Sequence, residues 1–329
     1  MDLAPKDLQF LSIRDILLEL TSIPKQSPKT FSLVTLTLIF PLSLAILAQS
    51  LFTKPLIHEP DCTFRVIEVV TDPVQLYHKW TLILFQLFYL IFLFAFSLLS
   101  TAAVVFTVAS LYTSKPVSFS NTLSAIPKAL KPLFITFLWV SLLMVGYNFL
   151  FLGFWILIIE AAIANRDILR FVFYVVLVVL FSVVHGYTTA LWHLASVVSV
   201  LEPVYGFHAM KKSYELLNGN TCMAYVLVSG YLTTCGVIRG VFGMVLVHGG
   251  HCYGVFARTA VGGSLVVVLV IVNLVGLLLQ SVFYFICKSY HHQRIDKNAL
   301  HDHLGGYLGD YVPLKSSIQM ENMDVLEGN

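Results

Sequence analysis

Residues 80–112 read WTLILFQLFYLIFLFAFSLLSTAAVVFTVASLY, and this stretch contains no Asp, Glu, Lys or Arg. Residues 261–287 also lack these four residue types. A helix of about 20 apolar residues crosses the hydrocarbon core of a bilayer, so each stretch is long enough to span it. The two stretches predict that lipid, rather than water, surrounds most of the chain.

The composition favours a membrane protein over a soluble one. Of the 329 residues, 57% are hydrophobic and 12% are charged, whereas soluble domains contain about 25% charged residues. The net charge of +2, without a clustered basic surface, argues against nucleic-acid binding. The sequence contains neither a nucleotide-binding loop nor a hydrolase motif. We therefore expect a non-enzymatic protein without a cofactor or a metal site.

Four more apolar stretches complete a set of six predicted spans. The spans are residues 31–53, 80–112, 132–159, 171–201, 222–247 and 261–287. An even number of spans places both termini on one side, and most of the 20 Lys and Arg residues fall there. The positive-inside rule then predicts cytosolic termini. We expect an all-α polytopic bundle at residues 31–290 in the endomembrane system or plasma membrane, preceded by an amphipathic segment at 1–30 and followed by a tail at 291–329.

Three short amphipathic segments precede the first, third and fifth spans. In the first, one helical face carries Ile13, Ile16, Leu17 and Leu20. The second covers residues 117–126. Pro24 and Pro127 are expected to end these two helices.

The third amphipathic segment covers residues 203–218. Its apolar stripe is Phe207, Met210, Tyr214 and Leu217, with Lys211, Lys212 and Glu215 on other faces. A helix with one apolar face and a basic flank is stable in the headgroup zone, where anionic lipid attracts its cations. We predict three interfacial helices at the cytosolic surface, with ordinary connecting loops as the alternative.

Intramembrane ionisable residues are candidates for a functional site, and the candidates are Glu160, which closes the third span, and His185, His193 and Arg239. His185 and His193 share a helical face, but without a carboxylate or thiolate beside them the pattern favours hydrogen bonds between helices over a metal site. The same role is expected of five amide side chains, namely Gln49, Gln86, Asn148, Asn273 and Gln280.

Small residues and cysteines add two further expectations. Gly236 and Gly240 are spaced as in surfaces at which two helices approach closely, so we predict a helix contact there. Cys62 and Cys252 fall in loops on the far side, and the sequence leaves open whether they form a disulfide.

Two parts of the chain resemble known families. Val200-Leu201-Glu202-Pro203 and Leu216-Leu217-Asn218-Gly219 resemble the signature helix of the glycerophosphodiester phosphodiesterase membrane-domain family. Cys287-Lys288-Ser289-Tyr290 and Tyr311-Val312-Pro313-Leu314-Lys315 resemble a plant branch of uncharacterised six-span proteins. The resemblance implies membrane architecture alone. The hydrolase domain of the fused relatives carries a His-Arg-Gly motif that this chain lacks, so no catalytic residue is carried over.

The sequence therefore predicts a membrane protein that organises or senses lipid, or acts as a scaffold. Its expected partners are membrane lipids and a protein bound by the tail at 291–329. The alternative is a transporter or channel for a small or lipidic solute. The scarcity of ionisable residues in the spans argues against that alternative, because coupled carriers usually expose several of them to the pathway. The sequence does not indicate an oligomeric state.

Overall fold

The computed structural model describes residues 13–52, 73–113, 119–164, 168–248 and 254–293, and all the elements in these ranges are helices. The α-helices are α1 (Ile13–Gln26), α2 (Pro28–Val34), α3 (Phe40–Phe52), α4 (Pro73–Tyr112), α5 (Phe119–Ala164), α6 (Ile168–Leu201), α7 (Phe207–Leu217), α8 (Thr221–Phe242) and α9 (Val255–Tyr290). Two π-helical turns, Thr35–Ile39 and Gly243–His248, join α2 to α3 and extend α8. The predicted all-α fold is confirmed.

Within the described ranges, six helical segments are long and apolar enough to cross a membrane. They are Pro28–Ser50, Trp80–Tyr112, Thr122–Phe154, Val175–Leu201, Thr221–Leu246 and Phe256–Tyr290. Each overlaps one predicted span, so the expectation of a six-span multi-pass protein is confirmed. We call the end of the bundle at which α6 and α9 terminate the proximal end, and the opposite end the distal end.

The third span begins earlier than predicted, because α5 runs without a break from Phe119 through Pro127 and Pro132. A proline inside a helix costs a hydrogen bond and creates a steric clash, together about 3 kcal/mol. Here buried side chains lie on both sides of Pro127, including Ile126 and Leu133, and their packing favours a continuous helix. The prediction that Pro127 ends a separate helix is wrong.

The same correction applies to α1. Pro24 lies inside this helix, which continues to Gln26 and stops just before Pro28. Ile23, next to Pro24, is buried, so core packing again outweighs the local preference. Pro28 occupies the first turn of α2, where a missing N–H costs no helical hydrogen bond.

The first span changes helix type at its centre. Its π-helical turn Thr35–Ile39 ends directly before Phe40 and Pro41. Pro41 has no N–H to donate to the carbonyl four residues earlier, and a wider turn relieves the mismatch. Pro41 then falls in the first turn of α3, where proline is tolerated.

The core lies in the proximal half of the molecule. Residues 100–110 of α4 and 281–287 of α9 are buried throughout. Tyr112 stacks on Phe285 with ring centroids 4.6 Å apart. α7 packs against α6, and α1 contacts α9, so short helices surround this part of the bundle.

The distal half exposes apolar side chains on most of its surface. In α4, α5 and α6 these include Trp80, Phe88, Phe149, Leu150 and Phe173. α5 and α6 hold each other through Tyr147, whose hydroxyl donates to the Phe181 carbonyl at 2.9 Å. An apolar surface of this extent is typical of contact with lipid.

Candidate functional site

One face of α7 packs against the core in the proximal half of the molecule. Ala209, Ser213 and Leu216 are buried on that face. The Ser213 hydroxyl donates a hydrogen bond to the Leu191 carbonyl of α6, 2.9 Å away. Because residues three and four apart share a helical face, these contacts fix the side of α7 that points outward.

The outward side of α7 presents two aromatic rings and a lysine, and His208 and Glu215 are exposed beside them. Phe207 is 65% exposed and Tyr214 is 60% exposed. Lys211, also exposed, lies between them on the same face. We call Phe207, Lys211 and Tyr214 the outer face of α7. Rings and a cation together are typical of a surface at the level of lipid headgroups.

Other residues of the predicted α7 stripe and its basic flank lie elsewhere. Leu217 is fully buried, because ten residues of helix turn it about 80° away from Phe207. Met210 is partly buried. Lys212 is also partly buried, and its charge acts on Glu202. Only part of the predicted stripe therefore belongs to the outer face.

α1 turns most of its described apolar stripe toward the protein. Ile16 and Leu20 are buried, whereas Leu17 is 48% exposed. The side chain of Ile13 lies outside the described part of the chain. An apolar stripe in the sequence does not show whether its side chains will pack against protein or lie among lipid headgroups. In α1, Ile16 and Leu20 pack against protein, and only Leu17 of the three described residues is exposed.

A polar cluster joins the end of α6 to the end of α9. The Lys288 Nζ atom lies 2.8 Å from Oε1 of Glu202, and the Tyr284 hydroxyl donates to the same oxygen at 2.7 Å. Lys288 also donates to the Tyr284 hydroxyl at 3.1 Å. We call Glu202, Tyr284 and Lys288 the proximal polar cluster.

The surroundings of Glu202 favour its charged form. Burial raises the pKa of the Glu202 carboxyl, but hydrogen bonds from Lys288 and Tyr284, with the positive charges of Lys288 and Lys212, outweigh it and hold the pKa below its ordinary value. The Glu202 carboxylate is therefore charged at neutral pH, and its contact with Lys288 ties the loop before α7 to α9.

Glycines with positive φ hold both ends of α7. Gly206, at φ +63°, donates its N–H to Oγ1 of Thr136 in α5 at 2.8 Å. Gly219, at φ +90°, lies so close to Tyr290 that an added Cβ would be 2.5 Å from its ring. Side chains rarely adopt such φ values, so both positions favour glycine. α7 is thus attached to α5 at its start and to α9 at its end.

The three candidate ionisable residues whose side chains are described, His185, His193 and Arg239, do not share one site. His185 stacks on Tyr147 of α5, with ring centroids 5.9 Å apart. An Arg239 guanidinium nitrogen lies 3.4 Å from Oε1 of Gln49 in α3, and His193 bonds to Gln280 of α9. The side chain of Glu160 lies outside the described residues. The three described side chains therefore make three separate helix contacts.

A hydrogen-bonded chain crosses three helices. The Tyr231 hydroxyl of α8 donates to Oδ1 of Asn273 at 2.9 Å. Asn273 in turn donates from Nδ2 to the Ser43 hydroxyl of α3 at 2.8 Å. The predicted interhelical role is confirmed for Asn273, as it is for Gln49 and Gln280.

Two sequence-based predictions of helix contacts are wrong. Asn148 donates to the Met144 carbonyl of its own helix, at 2.7 Å. A Cβ added at Gly236 or Gly240 would have no described neighbour within 4 Å, so no helix of the described ranges packs closely there. A close approach occurs instead at Gly276, where an added Cβ would be 2.7 Å from the Tyr231 ring.

A cavity of about 60 Å³ lies between α6, α8 and α9. Three polar residues line it: His193, Tyr231 and Gln280. The other lining residues are apolar, and they are Ala190, Leu194, Ala224, Leu227, Val228, Gly276, Leu277, Leu279 and Phe283. The cavity brings one predicted residue, His193, together with residues not predicted as a site.

The proximal polar cluster was not predicted. A signal was available, because Glu202 follows the predicted fourth span and Lys288 follows the predicted sixth, and even-numbered spans end on the same side. The topology therefore places Glu202 and Lys288 at the same depth, at the proximal end of the bundle. It does not show that the two residues are neighbours.

Some predictions fall on undescribed residues. Cys62, Cys252 and the tail beyond residue 293 lie outside the ranges that the structure describes.

The chain belongs to the family described as Domain of unknown function (DUF8558), whose model matches residues 1–323. Comparison of the chain with curated proteins and with solved structures finds no match.

Proposed function

We propose that this protein is a non-enzymatic membrane protein that binds anionic lipid at the cytosolic leaflet through the outer face of α7. The observation that carries the proposal is the division of α7 into two sides. One side is fixed to the core through Ser213 and Leu216, and the other exposes Phe207, Lys211 and Tyr214. Because the helix is already fixed, lipid binding does not have to order its backbone.

The proximal end of the bundle faces the cytosol in this proposal. The basis is the excess of Lys and Arg in the segments expected on that side. Phosphatidylserine and phosphatidylinositol make the cytosolic leaflet negative, and each nearby lysine contributes about 1 kcal/mol of attraction. Such a protein organises or senses anionic lipid in the endomembrane system or the plasma membrane. The plant origin, the link to the phosphodiesterase membrane domains and a protein partner of the tail stay predictions.

Lipid binding to the purified full-length protein tests the proposal. Native mass spectrometry in detergent would compare bound phosphatidylserine with bound phosphatidylcholine. The wild type is expected to prefer phosphatidylserine, and Lys211→Glu to lower that preference about fivefold or more, because at least 1 kcal/mol is lost. Phe207→Ser with Tyr214→Ser should weaken the binding of both lipids.

A matched control is available in the distal half. Phe149→Ser with Phe173→Ser changes two equally exposed apolar side chains far from α7. This variant should keep the wild-type preference for phosphatidylserine. Equal binding of the two lipids by the wild type, or equal losses in the α7 and distal variants, would refute the proposal.

Labelling of closed vesicles tests the orientation. Cysteines replacing Lys128 and Lys211 in a background without native cysteines should react with a membrane-impermeant maleimide from the same, cytosolic side. Reaction from opposite sides would overturn the topology on which the proposal depends.

A further inference from the structure

A groove runs along the outside of the bundle between the first span and α9. Its volume is about 350 Å³, whereas a cavity needs only about 10–15 Å³ to hold one water. Its lining residues include Phe31 and Val270, which are buried, and Leu36 and Phe40, which are exposed. The groove therefore has a floor and sides, unlike a flat surface that faces lipid. We call this space, between residues 28–40 of the first span and Val270 and Leu274 of α9, the first-span groove.

The first-span groove has about the depth of one leaflet. It extends from Pro28 to Phe40, 12 residues later, which is about 18 Å of helix. Half of the hydrocarbon core of a bilayer is about 15 Å thick. Because Pro28 also begins the first membrane-spanning segment, the groove runs from the level of the headgroups to about the middle of the bilayer.

An acyl chain of the surrounding bilayer matches the body of the groove. No Asp, Glu, Lys or Arg is among its lining residues, and the walls below Thr35 are apolar. An unfilled groove would lose the dispersion contacts that its walls can make. The groove itself does not select among phospholipids, since their chains are alike, so any selection depends on the residues at its proximal end.

Two lysines flank that proximal end, which is the mouth of the groove. Lys25 follows Pro24 and Lys29 follows Pro28 in the chain, and both prolines line the groove. The side chains of both lysines are exposed. They are also the only charged residues between positions 20 and 53 of the sequence. The mouth therefore combines two cations with the entrance to an apolar groove.

Charged residues on neighbouring helices leave the mouth positive. The acids of α1, Asp15 and Glu19, precede Lys25 by ten and six residues, which is about 15 and 9 Å along the helix. α5 contacts α2, and its first turns carry exposed Lys128 and Lys131 but no acid. A positive surface at this level attracts anionic headgroups, and each nearby lysine strengthens the attraction about fivefold.

Ser32 adds a neutral polar group just below the lysines. Its exposed side chain lines the groove, three residues after Lys29, which is about 4.5 Å farther into the membrane. The headgroup region is about 5–8 Å thick, and the ester groups of a phospholipid lie at its inner boundary. The Ser32 hydroxyl can therefore donate a hydrogen bond to an ester carbonyl.

We propose that the first-span groove binds one anionic phospholipid. One acyl chain lies along the groove, the ester carbonyl of that chain accepts a hydrogen bond from Ser32, and the negative headgroup lies beside Lys25 and Lys29. The site is separate from the outer face of α7. It also differs in kind, because it holds the lipid by its chain as well as by its charge.

Photolabelling of the full-length protein in nanodiscs of phosphatidylcholine tests the proposal. The probes are phosphatidylserine and phosphatidylcholine, each with a diazirine midway along one acyl chain. The phosphatidylserine probe should label residues 35–40 and 270–274 at least fivefold more than the phosphatidylcholine probe does. Labelling of the exposed surface around Phe149 in the distal half gives the reference for lipid that contacts the protein without a site.

Two variants change the site in different ways. Lys25→Met with Lys29→Met removes both charges, and should lower labelling of the groove by the phosphatidylserine probe at least fivefold without changing labelling by the phosphatidylcholine probe. Ser32→Trp places a large ring in the groove and should lower labelling by both probes. Ser182→Trp is the matched control, since Ser182 is an exposed serine of α6, and it should label like the wild type.

Four results would overturn the proposal. The first two are equal labelling of the groove by the two probes in the wild type, and unchanged phosphatidylserine labelling in the variant without the two lysines. The third is undiminished labelling of a folded Ser32→Trp variant. The fourth is a loss of groove labelling in Lys211→Glu, because that change on α7 should leave the first-span groove at the wild-type level. Results at the groove and results at α7 are therefore independent.

Discussion

The Lys288 ammonium lies 2.8 Å from the Glu202 carboxylate. This contact joins the end of the last span to the loop that precedes α7. The side chains are only 19% and 17% exposed, so water screens the pair less than it would a surface ion pair. Tyr284 completes the cluster by donating to the same carboxylate oxygen. The position of α7 on the core therefore depends on an electrostatic contact as well as on apolar packing.

Lys288→Met is expected to destabilise the protein. The change leaves a largely buried carboxylate with Tyr284 as its remaining hydrogen-bonding side chain, and loss of a charged hydrogen bond costs about 2 kcal/mol. Thermal unfolding in detergent measures the effect. Lys25→Met, at an exposed lysine near the end of α1, should leave the melting temperature nearly unchanged. Equal losses in both variants would mean that the ion pair contributes nothing specific.

The contribution of Glu202 should depend on pH in one direction. Its pKa is lower in the folded protein than the ordinary value of 4.5, so between these two values the unfolded chain binds more protons. The stabilisation by Glu202 is fully present when the pH is above the ordinary pKa of the unfolded chain. It is lost as the pH falls through the lowered pKa of the folded protein. The difference in melting temperature between the wild type and Glu202→Gln should shrink on acidification over that range. A difference that grows there would contradict the lowered pKa.

Two glycine substitutions should have opposite effects. Gly219→Ala forces a side chain into φ +90° beside Tyr290, and should lower stability by about 1–2 kcal/mol. Gly230→Ala lies inside α8 with no described neighbour within 4 Å of the new Cβ, and should raise stability by about 0.5–1 kcal/mol. Melting temperatures of the two variants test the pair, and a gain for Gly219→Ala would contradict the strained geometry of this turn.

Asn273→Leu should cost more than Asn148→Leu. The first change removes hydrogen bonds to Tyr231 and Ser43 on two other helices, with an expected loss of about 1–2 kcal/mol. The second removes only a bond within α5. Unfolding of both variants in the same detergent gives the comparison, and equal costs would mean that the interhelical chain adds no stability.

The six spans could be predicted because lipid imposes a length and an apolar composition that are visible in the sequence. The residue at which α1 ends and the residue at which α5 begins could not be predicted. Pro24 and Pro127 are local signals for a helix end, and they are overridden by tertiary contacts of neighbours such as Ile23 and Ile126. Those contacts come from residues distant in the chain.

The candidate sites were predicted only in part. The outer face of α7 follows from helical spacing, since Phe207 and Tyr214 are seven residues apart. The cavity does not, because its polar wall joins His193 to Gln280, 87 positions later. Single-sequence patterns report periodicity within one helix and carry no information on which helices become neighbours.

The π-helical turn Thr35–Ile39 changes the direction in which the side chains of α3 point around the axis of the first span. A π turn contains about one residue more than an α turn, so α3 is rotated by about 100° relative to a regular continuation of α2. Ser43 faces Asn273 because of this offset. A helical wheel drawn over residues 28–52 as one regular helix would therefore assign the wrong side of the first span to its neighbour, and deleting one residue of the turn would point Ser43 away from α9.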